Sequence, residues 1–232
     1  DDASVDADPN TSQGIFVFTS TAPPATATVG NRVRVTGTVA EFTPSTNLNQ
    51  LSITQITTVT SIQVLSTGNP LPAPVTLNSA DFDATATPGT AERYEGMRVT
   101  ISSATTVSGS DGNITESSAT SSTTGVFHVV LNGVARPFRE PGIGLLDVFP
   151  IPGGKTPPRW DTNQERIMVR SRGQVGATSL ALDVGATITN MTGVMDYFSG
   201  TWALLPDIGS GTATGGMAPT AVGDAAADEV TI

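Results

Sequence analysis

The sequence has no cysteine, one histidine, one lysine and only 5% aromatic residues. Without cysteine there is no disulfide, no thiolate nucleophile and no zinc–thiolate centre. The single histidine, His128, sits in Val126-Phe127-His128-Val129-Val130 with no neighbouring Asp or Glu. It reads as a strand residue with a satisfied hydrogen bond rather than as a metal ligand or base. No apolar run reaches the ~18 residues of a membrane-spanning helix. No window of about 12 residues repeats with helical periodicity. Gly-x-Ser-x-Gly, His-Glu-x-x-His and phosphate-loop spacings are all lacking, so no catalytic constellation is expected in this chain.

What is present points to strands. Thr, Ser, Ala and Val are abundant, with 24 Gly and 16 Pro. β-branched residues suit pleated strands, and frequent Gly and Pro punctuate turns, so the expected class is all-β. The 232 residues can bury one large core or two ordinary ones. Scarce aromatics mean cores of Val, Ile, Leu and Ala.

One phrase organises the chain. Val29-Gly30-Asn31-Arg32-Val33-Arg34-Val35-Thr36-Gly37-Thr38-Val39-Ala40-Glu41-Phe42 alternates apolar and polar residues on both sides of a glycine. It predicts a half-buried strand with a bend or bulge at Gly37. The phrase returns as Val184-Gly185-Ala186-Thr187-Ile188-Thr189-Asn190-Met191-Thr192-Gly193-Val194-Met195-Asp196-Tyr197. Each copy has Val-Gly, a β-branched run, Thr-Gly, and an acid followed by an aromatic. Two copies of one small β-barrel are expected.

The expected organisation is a first barrel over residues 1–78 and a linker over 79–90. A second barrel over 91–206, a flexible linker over 207–228 and the start of a further domain at 229–232 complete it. Within these, Ile15–Thr19, Gln50–Thr57, Thr58–Leu65, Arg98–Thr106, Val126–Leu131, Arg166–Ser171 and Thr201–Leu205 read as strands. Asp111-Gly112 predicts a tight hairpin turn, and Ser117–Thr124 a polar, flexible loop. Gly144–Pro158, with four prolines, is a long loop of the kind that is usually functional. The abrupt start at Asp1-Asp2 suggests a processed product.

Two groups of residues are candidates for binding. Asp6, Asp8 and Asn10 place oxygen side chains at alternate positions, as calcium loops do, so calcium is a candidate cofactor there. The glycine and closing glutamate of such loops are lacking, and a solvated loop with Asx-turns is the competing reading. The second group is cationic. The net charge is −10 and the pI about 4.3, which argues against nucleic-acid binding by bulk charge. Yet seven of the eleven cations, among them Arg136, Arg139, Arg159, Arg166 and Arg170, fall between residues 136 and 172 against four acids, a local balance of +3. Phe138 and Trp160 lie among them. Salt screens the remaining acids beyond about 8 Å. Barrels of the oligonucleotide-binding (OB) type stack bases on aromatics while cations follow the phosphates. Single-stranded nucleic acid is therefore a candidate partner for Arg136, Phe138, Arg139, Arg159, Trp160, Arg166 and Arg170. The alternative is that these arginines pair with Glu140, Asp161 and Glu165 and fix the loop.

Further phrases carry a resemblance. They are Thr11-Ser12-Gln13-Gly14-Ile15-Phe16-Val17-Phe18, Glu92-Arg93-Tyr94-Glu95-Gly96-Met97, Arg139-Glu140-Pro141-Gly142-Ile143, Asn163-Gln164-Glu165-Arg166 and Thr192-Gly193-Val194. With the repeated phrase they cover most of residues 8–205. The chain resembles the region upstream of the catalytic domain in bacterial extracellular nucleases, where OB-like repeats precede an endonuclease/exonuclease/phosphatase domain. The resemblance implies two tandem OB-like Greek-key barrels, the first N-terminally incomplete because one or two leading strands are absent. It implies an extracellular, bacterial setting. It also implies that the divalent metal and catalytic residues belong to the domain that Glu229-Val230-Thr231-Ile232 would begin, so none is carried over here. Tyr94, Glu95 and Gly96 recur in that family, and the residues themselves suggest a structural role, with Tyr94 filling a barrel end. The expected function is a non-catalytic accessory module. The competing class is a structural module that self-assembles by strand addition at an open barrel edge, with copies of itself as partners.

Overall fold

A computed structural model describes residues 8–45, 50–83, 85–135 and 164–217. The fold is all-β, as expected, with a closed five-stranded barrel and further sheets. The calls at Asp6, Arg136, Phe138, Arg139, Arg159 and Trp160 lie outside the described residues.

The first unit is a three-stranded sheet of β1 (Phe16–Val17), β2 (Arg32–Phe42) and β3 (Ile53–Ser66), in the order β1-β3-β2. The two strands expected over Gln50–Leu65 are one strand. A left-handed residue, Thr58 (φ 48°), bends it where the register with β2 shifts between Thr36 and Thr38.

The segment expected as the linker over 79–90 is built into the second unit. A two-residue strand, β4 (Val75–Thr76), lies parallel on the second unit, and the 3-10 turn Ser79–Phe82 drives Phe82 fully into its core. Asn78 caps that turn by accepting from the Ala80 N–H at 3.2 Å. A second 3-10 stretch, Pro88–Tyr94, starts with a capping box between Thr87 and Thr90.

The barrel follows. Its strands are β5 (Arg98–Ser108), β8 (Val126–Leu131), β9 (Ile167–Arg170), β10 (Ala186–Phe198) and β11 (Thr201–Pro206). They pair in the order β5-β8-β9-β11-β10, and β10 closes back on β5. Only β9 and β11 run parallel. This is the Greek-key order of an OB barrel. Inside are Val99, Ile101, Phe127, Val129, Ile167, Val169, Ile188, Met191, Met195 and Leu204, all at 1% exposure or less. Between β5 and β8 stands a hairpin of β6 (Gly112–Thr115) and β7 (Thr120–Thr123). Gly112 opens β6, and the hairpin turns at Glu116–Ser118 with Ala119 left-handed. The tight turn expected at Asp111-Gly112 is thus not the hairpin turn, and part of the expected loop over Ser117–Thr124 is strand. Beyond the barrel, β12 (Thr212–Gly215) pairs with β10 over Ala186–Thr189, so the start of the expected linker over 207–228 is sheet.

The two copies of the phrase are equivalent strands, matched through their Thr-Gly steps, and the match at the end moves by one residue, so that Phe42 answers to Phe198 rather than to Tyr197. Phe42 faces Ile53 at the β2–β3 hairpin, as Phe198 faces Thr201 at the β10–β11 hairpin. Counting from there, Phe16 and Val17 meet Gln55 and Ile56, as Met168 and Val169 meet Ala203 and Leu204. The first sheet is therefore the third, fifth and fourth strands of the same barrel, in the same register. The two glycines agree as well. A Cβ on Gly37 would lie 2.6 Å from Ile56 Cγ2, and one on Gly193 would lie 2.3 Å from the Leu205 carbonyl oxygen. Each lets the next strand cross closely.

The first sheet rests on one end of the barrel. Leu51 and Ile53 pack against the barrel core, and the Leu51 N–H donates to the Tyr197 hydroxyl at 3.4 Å. Ser12 donates through its hydroxyl to the Glu95 carbonyl.

Candidate nucleic-acid interface

Two of the seven cationic and aromatic candidates fall on described residues, one at each end of β9. Arg166 immediately precedes the strand and Arg170 ends it. Alternation sends Ile167 and Val169 into the core, fully buried, so Arg166, Met168 and Arg170 point outward. The other five, Arg136, Phe138, Arg139, Arg159 and Trp160, fall between the end of β8 and the start of β9 in the sequence. All seven candidates thus belong to the third strand or to the connection that leads into it. The outer face of the second and third strands is where OB barrels hold oligonucleotides.

Arg170 is engaged from two sides. Its guanidinium lies 4.0 Å from the centroid of Phe198, and Nη1 stands 3.4 Å from Asp196 Oδ2. Asp196 was not among the acids expected to pair with these arginines. Burial pushes the Asp196 carboxyl up, and the Arg170 charge pulls it back down. Phe198 is 43% exposed, so the Arg170–Phe198 stack presents a flat cationic and aromatic surface to solvent. The sequence signal for Phe198 was available: it directly follows the second copy's Asp196-Tyr197, at the tip of a strand, where an apolar ring has no core to enter.

His128 on β8 pairs with Met168 across the same face. Burial lowers its pKa first, and the nearby Arg166 charge lowers it further, so the ring is neutral at pH 7. The expected hydrogen bond is not made at Nδ1, which is buried without a partner.

At the N-terminus, Asp8 Oδ1 accepts from the Asn10 backbone N–H at 2.9 Å and from Asn10 Nδ2 at 3.0 Å. This is the Asx-turn of the competing reading. Among the described residues no group of three or more His, Asp or Glu side chains is placed to hold a metal ion. No helix among them is long and apolar enough to cross a membrane.

The Tyr94-Glu95-Gly96 phrase builds the barrel end. Tyr94 is 4% exposed and packs on Phe82 with ring centroids 6.2 Å apart. Its hydroxyl donates to Asp81 at 2.7 Å and accepts from Arg93, which also pairs with Asp81. The Asn78 N–H also reaches that hydroxyl, at 3.4 Å. Gly14 and Gly96 touch backbone to backbone, since a Cβ on Gly14 would lie 2.2 Å from the Gly96 carbonyl carbon. Glu95 was missed as a titrating group. It lies half-buried between the sheet and the barrel, its Oε1 without a partner. Burial raises its pKa to about 7, the charges of Glu92, Glu41 and Asp196 add to this, and the Thr54 N–H opposes it.

A family model described as Domain of unknown function (DUF8508) matches residues 90–214, the stretch that holds the closed barrel. No curated protein and no solved structure matches the chain.

Proposed function

We propose that this chain, which belongs to the family described as Domain of unknown function (DUF8508), is a non-catalytic, OB-like accessory module of a secreted bacterial nuclease. In this reading it binds or positions single-stranded nucleic acid, or orients the catalytic domain. The observation that carries it is the placement of the cationic and aromatic candidates on the third barrel strand and on the connection between the second and third. That face suits a single strand: bases stack on rings, and guanidinium groups follow phosphates. The exposed Phe198 with Arg170 over it adds a stacking platform. The nuclease association and the extracellular setting rest on the resemblance of the sequence phrases.

The test is fluorescence anisotropy with a labelled oligo-dT at about 20 mM salt, where phosphate contacts are strongest. Saturable binding is expected, weakened in Arg166→Ala and in Trp160→Ala. Loss of one stacked base costs about 1–3 kcal/mol, or about five- to 150-fold in affinity. Undetectable binding at that salt sinks the nucleic-acid reading.

A second reading, a structural module that adds strands at an open edge, is favoured by the first sheet, neither of whose outer edges is paired among the described residues. Sedimentation showing monomers at all concentrations counts against assembly between copies.

A further inference from the structure

Three Asn-x-Ser/Thr triplets occur in the sequence, each with a middle residue other than proline: Asn10-Thr11-Ser12, Asn113-Ile114-Thr115 and Asn190-Met191-Thr192. This is the triplet to which glycans are joined through the asparagine amide. A transferase has to hold both the amide nitrogen and the hydroxyl two residues on. Both must therefore be reachable and uncommitted, and the structure separates the three triplets on that ground. Asn10 Nδ2 donates to Asp8 Oδ1 at 3.0 Å, and the Ser12 hydroxyl donates to the Glu95 carbonyl and accepts from the Gly14 N–H at 2.9 Å. The third triplet belongs to β10. Met191 lies in the barrel core at 1% exposure, and Thr192 Oγ1 is 2.5 Å from Thr100 Oγ1. Presenting that triplet to an enzyme would take the barrel apart.

Asn113 has neither restraint. It lies on β6, every residue of which is exposed, Ile114 at 80%. Alternation puts Asn113 and Thr115 on one face of the strand. Neither side chain has a hydrogen-bond partner among the described residues. The base of the hairpin is fixed: the Asp111 N–H donates to the Val126 carbonyl at 2.7 Å, and the Thr124 N–H donates to the Asp111 carbonyl at 2.9 Å. Beyond that base β6 and β7 pair only with each other among the described residues. An isolated two-stranded hairpin is marginally stable in water. β6 can therefore leave β7 and enter an enzyme cleft while the barrel stays folded.

We propose that Asn113 is the acceptor for an N-linked glycan, supplied by a polyprenyl-pyrophosphate-linked oligosaccharide. Asn113 Nδ2 forms a bond to C1 of the first sugar. The C1–O bond to the pyrophosphate breaks, and the polyprenyl pyrophosphate leaves with the electron pair. One amide proton passes to a base of the transferase. Thr115 is a positioning residue, whose hydroxyl holds the triplet in the enzyme. The glycan then stands beside the exposed Ile114 and screens the hairpin's edges from other strands. The site is independent of what the barrel binds.

The test incubates the folded 232-residue chain with a purified bacterial oligosaccharyltransferase and a polyprenyl-pyrophosphate-linked oligosaccharide. Intact-mass and peptide mass spectrometry read the product. A single glycan is expected, on Asn113 and not on Asn10 or Asn190. Asn113→Gln and Thr115→Val are expected to abolish it, and Thr115→Ser to keep it. Both positions are exposed, so the variants keep the barrel, which near-UV circular dichroism checks. A synthetic peptide of residues 109–119 is run beside the chain. A modified peptide with an unmodified chain would overturn the proposal, because the hairpin would then not present the triplet. Lack of modification in both would overturn it too, because the triplet would not be an acceptor. So would a glycan on Asn10 or Asn190 in place of Asn113, or modification of Thr115→Val at the parent level.

Discussion

Replacing Glu95 by Gln tests how the sheet and the barrel are joined. Glu95 sits at their junction, where the Thr54 N–H from the sheet donates to a carboxyl that follows Tyr94 of the barrel end. The group's ordinary pKa is 4.5, and in the fold it is about 7. Between these values the native state keeps a proton that the unfolded chain has released. Stability is therefore highest below pH 4.5, falls as pH rises, and has lost this contribution above pH 7. At about 1.4 kcal/mol per pH unit the unscreened loss would be roughly 3 kcal/mol. Glu95 is only half-buried, so solvent screening brings the expectation to about 1–2 kcal/mol. Glu95→Gln stays neutral throughout and keeps an oxygen for the Thr54 N–H. Urea unfolding at pH 5, 6, 7 and 8 should show the variant matching the parent at the acid end and exceeding it by that amount at pH 8. The comparison cancels His128, whose lowered pKa costs stability as pH falls below 6.5, and the raised Glu92 and Asp196. Parallel curves for variant and parent across the range would refute the reasoning.

Three substitutions test the fold assignment. Phe82→Ala removes a fully buried ring from the segment first read as a linker, and about 3–5 kcal/mol of unfolding free energy should go with it in urea titrations; a loss under about 1 kcal/mol would return that segment to linker status. Gly193→Ala forces a Cβ against the Leu205 carbonyl in a closed barrel, while Gly37→Ala presses on Ile56 at an open sheet. Each should cost about 1–3 kcal/mol in thermal melts, with Gly193→Ala the more costly, because a closed barrel cannot splay to relieve the clash.

The alternation of Val29–Phe42 and of its second copy made the strands and their kinship legible, because side-chain period and glycine crossings are local properties. The barrel order was legible only through the kinship and the resemblance. Three elements escaped. Phe82 was read as linker and β4 as part of the first barrel, because their short apolar segments gain their place from a barrel end assembled by residues far along the chain. β12 escaped because Thr212–Gly215 is four exposed residues with no alternation to detect, held by the free edge of β10 beside β11. Asp111-Gly112 was read as a turn on a dipeptide preference that the surrounding chain overrode. Of the site, the basic window was legible as composition. The pairing of Arg170 with Asp196 and Phe198 joins residues more than twenty positions apart, so no local pattern could announce it.

Closure is the property a strand's own sequence cannot carry. Val39 and Met195 hold equivalent places in equivalent strands, and one is exposed while the other is completely buried. Among the described residues, β5 and β8 cover the one and no strand takes their place over the other, which neither residue encodes. The chain does encode a local response to an open edge. The first sheet has Arg32 and Arg34, both exposed, on its edge strand β2. Charges on an exposed edge strand discourage pairing with unsuitable strands, because a neutral or basic strand gains nothing from them. They favour pairing with a strand that brings acids to the same two positions. A surface designed only to stay soluble would carry any charge there. In a chain with 21 acids and 11 cations, cations at both positions attract an acidic strand and repel the same edge of another copy, which brings the same two arginines.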